Sequence, residues 1–326
     1  MIPLVRAELL RLRSRRLTWI ALGAVLLVVL LTQLAVYTSV RPLTDTERAQ
    51  AQANYAEAKV DYEQNKDQYA KDTEDCVAQG NPREACEYPE PQLEDYAQRS
   101  VSDFADVASL SVTVSVFVTG LALLFLSASL IGAEFSSGSL ANWLSFVPER
   151  TKVYASKLVA LVLVGAVITA VVAALAIGLT ALLTQVAGAE VVGLGKIDAM
   201  GARGVLIGVI AVVIGFSLAM LTRHTIAAAG AVLGYLLLSF VLQIVMGVLP
   251  TLQAAKRLLP ENNALAVLQH DYHYVDYLNE IGPDGQYNYT EFPHVITFGA
   301  GSLYWAVVLV VLLAASYVVF RRRDVS

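Results

Sequence analysis

Residues 158–184 read LVALVLVGAVITAVVAALAIGLTALLT, a run of 27 positions without Asp, Glu, Lys, Arg or His. A helix needs about 20 apolar residues to cross the hydrocarbon core of a bilayer, so this run is long enough to span it. Five further runs of 19 to 26 residues also lack these five residue types: 17–38, 107–132, 204–222, 225–249 and 299–320. The sequence therefore predicts an all-α integral membrane protein with six transmembrane helices.

The composition agrees with this fold class. The chain has 326 residues, of which 56% are hydrophobic and 16% are charged, whereas about a quarter of the residues in a soluble domain are charged. Arg11, Arg13, Arg15 and Arg16 precede the first run, as they would in a signal peptide. The apolar run is too long for one and no small-x-small cleavage site follows, which favours an uncleaved anchor.

The charges between the runs predict the orientation, because cytoplasmic connections are rich in Lys and Arg. One set of segments holds 12 basic and 4 acidic residues, a net charge of +8: 1–16, 133–157, 223–224 and 321–326. The other set holds 11 basic and 24 acidic residues, a net charge of −13: 39–106, 185–203 and 250–298. Both termini are therefore predicted to be cytoplasmic. Residues 1–16 fit either a basic helix on the inner membrane surface or a plain basic flank.

The long outer segment, residues 39–106, is predicted to fold as an external helical hairpin. Thr44 and Glu47 form a capping box, so a helix should begin there and run to about Gln79, with Gly80 as its stop. On this helix, one face carries a stripe that recurs every seven residues and comprises Tyr55, Tyr62, Tyr69 and Cys76. On the returning helix, a second stripe comprises Leu93, Tyr96, Phe104 and Val107. Packing of the two stripes on each other would form the hairpin.

Cys76 and Cys86 are the only cysteines and both lie in this outer segment. An oxidising compartment favours a disulfide between them, and two free thiols are the alternative. In the outer segment 250–298, residues 258–278 are predicted to form one or two short helices on the membrane surface, and residues 282–285 form a turn, with short strands beside it as an option. His270 and His273 lie one helical turn apart there, but no complete ligand set is specified, so we predict no metal site.

No enzyme site is apparent within or between the runs. The small-xxx-small pairs Gly204/Gly208 and Gly230/Gly234 are better explained by close helix packing than by a transport path. The Gly195–Lys196 pair is followed by Ile197 and does not match a nucleotide-binding loop. Any ATP that drives this protein must therefore be hydrolysed by a partner.

The connection 133–157 carries the most informative pattern between two runs. Leu140, Trp143, Leu144 and Val147 follow the i, i+3, i+4, i+7 spacing of one helix face. Ser136 or Ser137 is a candidate cap for its start, and Pro148 should end it. This pattern predicts a short amphipathic helix on the cytoplasmic side. It fits either an element that contacts a partner or a simple interfacial turn.

At these residues the chain resembles the ABC-2-type exporter permeases. Their first cytoplasmic loop carries an acidic residue, then Gly-Ser/Thr-Leu, then Pro, Arg and Lys at similar intervals, matched here by Glu134, Gly138, Ser139, Leu140, Pro148, Arg150 and Lys157. The resemblance implies that this loop is the coupling helix that docks in a groove of the ATPase. Glu134 and Arg150 are then expected to make polar contacts with the ATPase. Leu140, Trp143 and Leu144, which lie between Gly138 and Pro148, are expected to make the apolar contacts with it.

The resemblance further implies an exporter subunit that works by alternating access in a prokaryotic plasma membrane. Its expected partners are ABC ATPase subunits, a second permease copy or a homologous permease, and membrane lipid, without nucleic acid. ATP and magnesium would be bound by the ATPase, and no cofactor by this chain. The uncharged spans favour an apolar or amphipathic substrate. The outer segment 39–106 is longer than in the family pattern, and a membrane sensor or scaffold that uses this hairpin is the alternative function.

Overall fold

The computed structural model of the protein describes residues 1–80, 82–97, 104–281 and 287–322. In this part of the chain, six helices are long and apolar enough to cross a membrane, which confirms the predicted fold class: α2 (Arg16–Val40), α6 (Phe104–Ser136), α8 (Arg150–Val186), α9 (Leu194–Thr222), α10 (Thr225–Val248) and α12 (Phe298–Arg322). The other helices are α1 (Ile2–Ser14), α3 (Asp45–Ala78), α4 (Arg83–Cys86), α5 (Leu93–Ala97), α7 (Ser139–Phe146), α11 (Pro260–Gln269) and a 3₁₀ helix (Pro250–Leu258).

The connections lie at two ends of the bundle. We call the end with α1 and α7 the basic face, and the end with α3, α4 and α5 the acidic face. α1 is a separate helix, because Arg15 adopts an extended conformation (φ −79°, ψ 127°) before α2 begins. The predicted basic segment 1–16 is therefore helical, and its side chains Glu8 and Leu12 are buried against the bundle.

α6 and α9 form the centre of the bundle. Some 61% of the most apolar stretch of each is buried, against 17% for α10 and α12. Gly204 and Gly208 of α9 lie at close helix contacts, since an added Cβ would come within 2.8 Å of Val116 at Gly204 and would clash with Thr169 at Gly208. Around Gly230 and Gly234 of α10, the described part of the chain places no other atom within 4 Å of such a Cβ. The outer helices therefore present most of their apolar surface to the surroundings of the bundle.

α3 begins at the capping box that the sequence predicts. The Thr44 side chain accepts from the Glu47 backbone N–H at 3.3 Å, and the Thr44 backbone N–H donates to Glu47 Oε2 at 2.8 Å. This backbone hydrogen bond, together with those from the Arg41 and Thr44 side chains, lowers the pKa of the Glu47 carboxyl to about 2. α3 ends at Ala78, and Gly80 follows with a positive φ of 92°.

The tyrosine stripe of α3 packs against the segment that follows it. The Tyr69 ring stacks on Tyr88 with centroids 4.7 Å apart, and the Tyr55 ring lies 6.1 Å from that of Tyr96. The disulfide Cys76–Cys86 is confirmed, with its Cα atoms 5.8 Å apart. The returning segment contains the short helices α4 and α5 rather than a long helix like α3, and residues 98–103 lie outside the described residues.

The segment 250–298 differs from the predicted surface helices. α11 ends at Gln269, and β1 (Asp271–Ile281) pairs antiparallel with β2 (Tyr287–Thr297), with Asp271 opposite Thr297. The helical prediction over 258–278 is therefore wrong beyond Gln269, since Tyr272, Tyr274 and the residues around them form an 11-residue strand. The predicted turn at 282–285 lies outside the described residues. α11 packs into the bundle against α9 and α12 instead of lying on its surface, with six of its side chains buried.

Candidate functional site

The chain turns sharply between α6 and α7. α6 ends at Ser136, and Gly138 adopts the left-handed conformation with φ 67°, which glycine reaches without a steric penalty. Ser136 donates to the Ala133 carbonyl oxygen and Ser137 pairs with the Ser139 hydroxyl, so neither serine caps α7 as the sequence suggested. The helix ends at Phe146, two residues before Pro148. The Gly138 turn determines which face of α7 is directed toward the bundle.

The apolar face of α7 is directed toward its own chain. Leu140 is fully buried, and Leu144 and Val147 pack half-buried on the same core. Asn142, Ser145 and Phe146 lie on the exposed side, where the Phe146 side chain is 79% exposed. The surface that α7 offers to another protein is therefore polar, with one large aromatic side chain.

A buried ion pair network lies beneath α7. Lys157, near the start of α8, is 2% exposed and donates from Nζ to Glu8 Oε1 of α1 at 2.7 Å. The same Nζ donates to Glu134 Oε1 near the end of α6 at 2.9 Å and lies 2.7 Å from Glu134 Oε2. One ammonium group therefore connects three helices at the basic face.

Arg11 completes the network from α1. Its Nη1 lies 3.1 Å from Glu134 Oε1 and 3.7 Å from Glu8 Oε1. The Trp143 ring of α7 covers the two cations, with Arg11 Cζ 5.6 Å and Lys157 Nζ 5.8 Å from its centroid. Such contacts between a cation and an aromatic ring are attractive. Trp143 therefore attaches α7 to the network that connects α1, α6 and α8.

The network contains two carboxylates and two cations, so its formal charges cancel. Removing charges from water costs several kcal/mol per ion, and only good pairing offsets this cost. Each of the four groups lies within 4 Å of an opposite charge. The geometry therefore favours a fixed arrangement of the three helices, because displacing α6 or α8 would leave the remaining buried charges unbalanced.

Arg150 joins α8 to the end of α12. Its Nη1 donates to the carbonyl oxygens of Phe320 and Arg321 at 3.2 and 3.1 Å. One turn further along α8, the Tyr154 hydroxyl lies 2.7 Å from Ser316 Oγ. Cations near a helix C-terminus are favourable for the helix dipole. Arg150 thus extends the connected region to the last helix of the bundle.

The structure brings most of the predicted coupling residues together, but in positions that the sequence did not indicate. Glu134 and Leu140 are buried within the chain, and Arg150 contacts the end of α12. In this conformation these residues therefore stabilise the position of α7 from within the chain. Glu8 and Arg11 were not among the candidates, and Lys157 was noted only as part of the resemblance. Their sequence signal is weak: charged residues beside apolar runs are ordinary flanks, and only the fold shows that they meet.

The side chains at this site connect the helices of the basic face to one another. In the part of the chain that the structure describes, no group of three or more His, Cys, Asp or Glu residues is placed to hold a metal ion. The buried polar groups at this face are used to connect helices. Six apolar helices and a short helix anchored on several of them define a multi-pass membrane protein.

The family model described as ABC-2 family transporter protein matches residues 3–325, so the chain belongs to this family. A search of the curated proteins finds no match. The chain is accordingly a permease subunit of an ABC transporter, and membership of the family implies partnership with ABC ATPase subunits.

Proposed function

We propose that the chain is the permease of an exporter, that its basic face lies in the cytoplasm, and that α7 is the helix through which a separate ATPase moves it. The observation that carries this proposal is the buried Lys157 network beneath α7, which joins α1, α6 and α8. An element that transmits motion has to be exposed on one side and attached to several helices on the other. α7 meets both conditions at the face with the excess of positive charge.

Movement would pass from α7 to the bundle in two ways. Trp143 contacts Arg11 and Lys157, so a displacement of α7 acts on α1 and α8 together. Arg150 and Tyr154 then connect α8 to α12. Packed cores and ion pair networks switch between discrete arrangements rather than deform continuously. This behaviour is what alternating access requires.

In this proposal the residues at and around α7 divide into two groups, and the predicted coupling residues all belong to the second. Asn142, Ser145 and Phe146 face outward and would contact the ATPase, with Phe146 as the apolar anchor. The other residues position α7 from the inside of the chain: Glu134, Gly138, Leu140, Trp143, Leu144, Pro148 and Arg150. The ATPase would bind ATP and magnesium, and this chain would bind neither.

A second permease copy or a homologous permease would complete the path for the substrate. The exposed side of α10 is available for such a contact, since Gly230 and Gly234 have no neighbour there and small residues let helices approach closely. The remaining apolar surface would face the lipid of a prokaryotic plasma membrane. An apolar or amphipathic substrate fits spans whose central parts lack ionisable side chains.

Labelling of single introduced cysteines tests the orientation. Ser137→Cys lies in the exposed turn before α7, and Ala70→Cys lies on the exposed surface of α3. The native cysteines are joined to each other and do not react under non-reducing conditions. We expect a membrane-impermeant maleimide added outside intact cells to label Ala70→Cys only, and Ser137→Cys to react after permeabilisation. Labelling of Ser137→Cys in intact cells would place α7 outside and contradict the proposal.

A further inference from the structure

Glu261 at the start of α11 is held by three side chains of α10. Its Oε2 accepts from the Tyr235 hydroxyl at 2.6 Å, and its Oε1 accepts from the Ser239 hydroxyl and from Gln243 Nε2. Residues 235, 239 and 243 follow at intervals of four, so they form one row along the helix. All three groups donate to the carboxylate, which is the pattern expected for its ionised form.

The carboxylate lies at membrane depth although α11 is not a spanning helix. Ser239 is 14 residues into α10, which corresponds to about 21 Å along the helix axis at 1.5 Å per residue. The hydrocarbon core is about 30 Å thick, so the row from Tyr235 to Gln243 occupies the half nearer the acidic face. Glu261 is thus an ionisable group inside the membrane, a position at which such groups usually serve function.

Glu261 differs from the other buried carboxylates in its partners. Glu134 is paired with Lys157, and Asp276 with Lys256 and His294. Around Glu261 no Lys, Arg or His side chain of the described residues lies within 4 Å, and its partners are neutral. The carboxylate is also only half-buried, so one side of it is open. A negative charge at this depth without a protein cation favours the approach of a cationic ligand.

One tyrosine contacts this charge, because Tyr235 of α10 donates to the carboxylate directly. Aromatic rings attract organic ammonium groups through their faces, most strongly when water is absent. A metal ion would instead require several oxygen ligands of high charge, and the described residues place no group of three or more His, Cys, Asp or Glu to hold one. The chemistry therefore matches an ammonium group on a hydrophobic molecule.

We propose that Glu261 and Tyr235 bind the positively charged headgroup of an amphiphile whose apolar part lies between the helices. Ser239 and Gln243 position the carboxylate for this contact. The inference rests on the proposed permease function and narrows its substrate class from apolar or amphipathic molecules to cationic amphiphiles. Binding of such an amphiphile at Glu261 requires no change in the coupling site at the opposite face of the bundle.

Binding to the purified permease in phosphatidylcholine nanodiscs tests the site without an ATPase. The probes are dodecyltrimethylammonium, the neutral dodecanol and the anionic dodecyl sulfate, each titrated against empty nanodiscs as background. We expect saturable binding of the cationic probe only. Glu261→Gln removes the charge and keeps the shape, and it should weaken that binding by about tenfold or more. Glu190→Gln, in an exposed loop at the same face, should leave it unchanged.

Two outcomes would overturn the inference. One is equal affinity of the native protein for the cationic and the neutral probe, a comparison that needs no variant and so does not depend on whether Glu261→Gln folds. The other is binding to a folded Glu261→Gln that equals binding to Glu190→Gln, which would leave Glu261 as a purely structural contact between α10 and α11. Because no ATPase is present, either result would leave the proposed permease function untouched.

Discussion

Replacing Lys157 with methionine is expected to destabilise the folded protein by about 3–5 kcal/mol, because the change leaves buried carboxylates without their main cation. Lys157 is 2% exposed and contacts both Glu8 and Glu134. Methionine has a similar length, so the effect would come from the lost charge rather than from a cavity. The measurement is thermal or denaturant unfolding of the purified protein in detergent, together with the amount of folded protein recovered.

Lys152→Met is the matched control on the same helix. The Lys152 side chain is 50% exposed and pairs only with Glu149, which is itself 59% exposed, so its loss should cost about 0–1 kcal/mol. Adding Glu134→Gln to Lys157→Met should recover part of the stability, because Arg11, the remaining cation of the network, then faces one carboxylate instead of two. A Lys157→Met protein as stable as Lys152→Met would show that the network does not hold the three helices together.

Replacing Phe146 with alanine is expected to weaken retention of the ATPase by about 30-fold, because truncation of an aromatic anchor at an interface commonly costs about 2 kcal/mol. The side chain is 79% exposed in the isolated chain, so membrane insertion and folding should be unaffected. The assay is co-purification with, and titration by, the partner ABC ATPase subunit. Ile226→Ala is the control, since Ile226 is 85% exposed at the start of α10.

Trp143→Ala should behave differently from Phe146→Ala in the same assay. Trp143 covers Arg11 and Lys157 from the inner side of α7 and does not face the solvent fully. Its loss should leave the outer surface of α7 in place but loosen the link to α1 and α8. We therefore expect the ATPase to be retained while substrate-stimulated hydrolysis falls. Normal retention and normal stimulation in both variants would contradict a coupling role for α7.

Local patterns were sufficient to predict the spanning helices and the start of α3. An apolar run of 20 or more residues has few alternatives to a transmembrane helix, and the Thr44–Glu47 box satisfies backbone groups of its own helix. Both signals depend on residues close together in the chain. Cys76 and Cys86 were predictable as a pair because they are the only two cysteines and lie in one loop.

The buried charges could not be predicted in the same way. Glu8, Glu134 and Lys157 are far apart in sequence, and each looks like the polar flank of an apolar run. Only the packing of α1 and α6 against α8 brings them into contact. Glu261 was missed for a related reason, because the short helix that carries it was expected at the membrane surface and instead enters the bundle.

The orientation of α7 could be predicted from the sequence only in part. Its apolar spacing predicted an amphipathic helix, and the helix is present at Ser139–Phe146. The spacing alone does not say whether the apolar face contacts a partner or the same chain. The left-handed Gly138 turns Leu140 inward, so the residue that remains for a partner is Phe146, which lies outside the predicted stripe.

The most direct test of the central claim is site-specific cross-linking between α7 and the ATPase in native membranes. A photoreactive group is attached to Ser145→Cys, on the exposed side of α7, and to Ala70→Cys on α3 as the control at the opposite face. The proposal predicts that Ser145→Cys cross-links to the ATPase, that Phe146→Ala in the same chain suppresses the product, and that Ala70→Cys forms none. Cross-linking from Ala70→Cys with none from Ser145→Cys would contradict it.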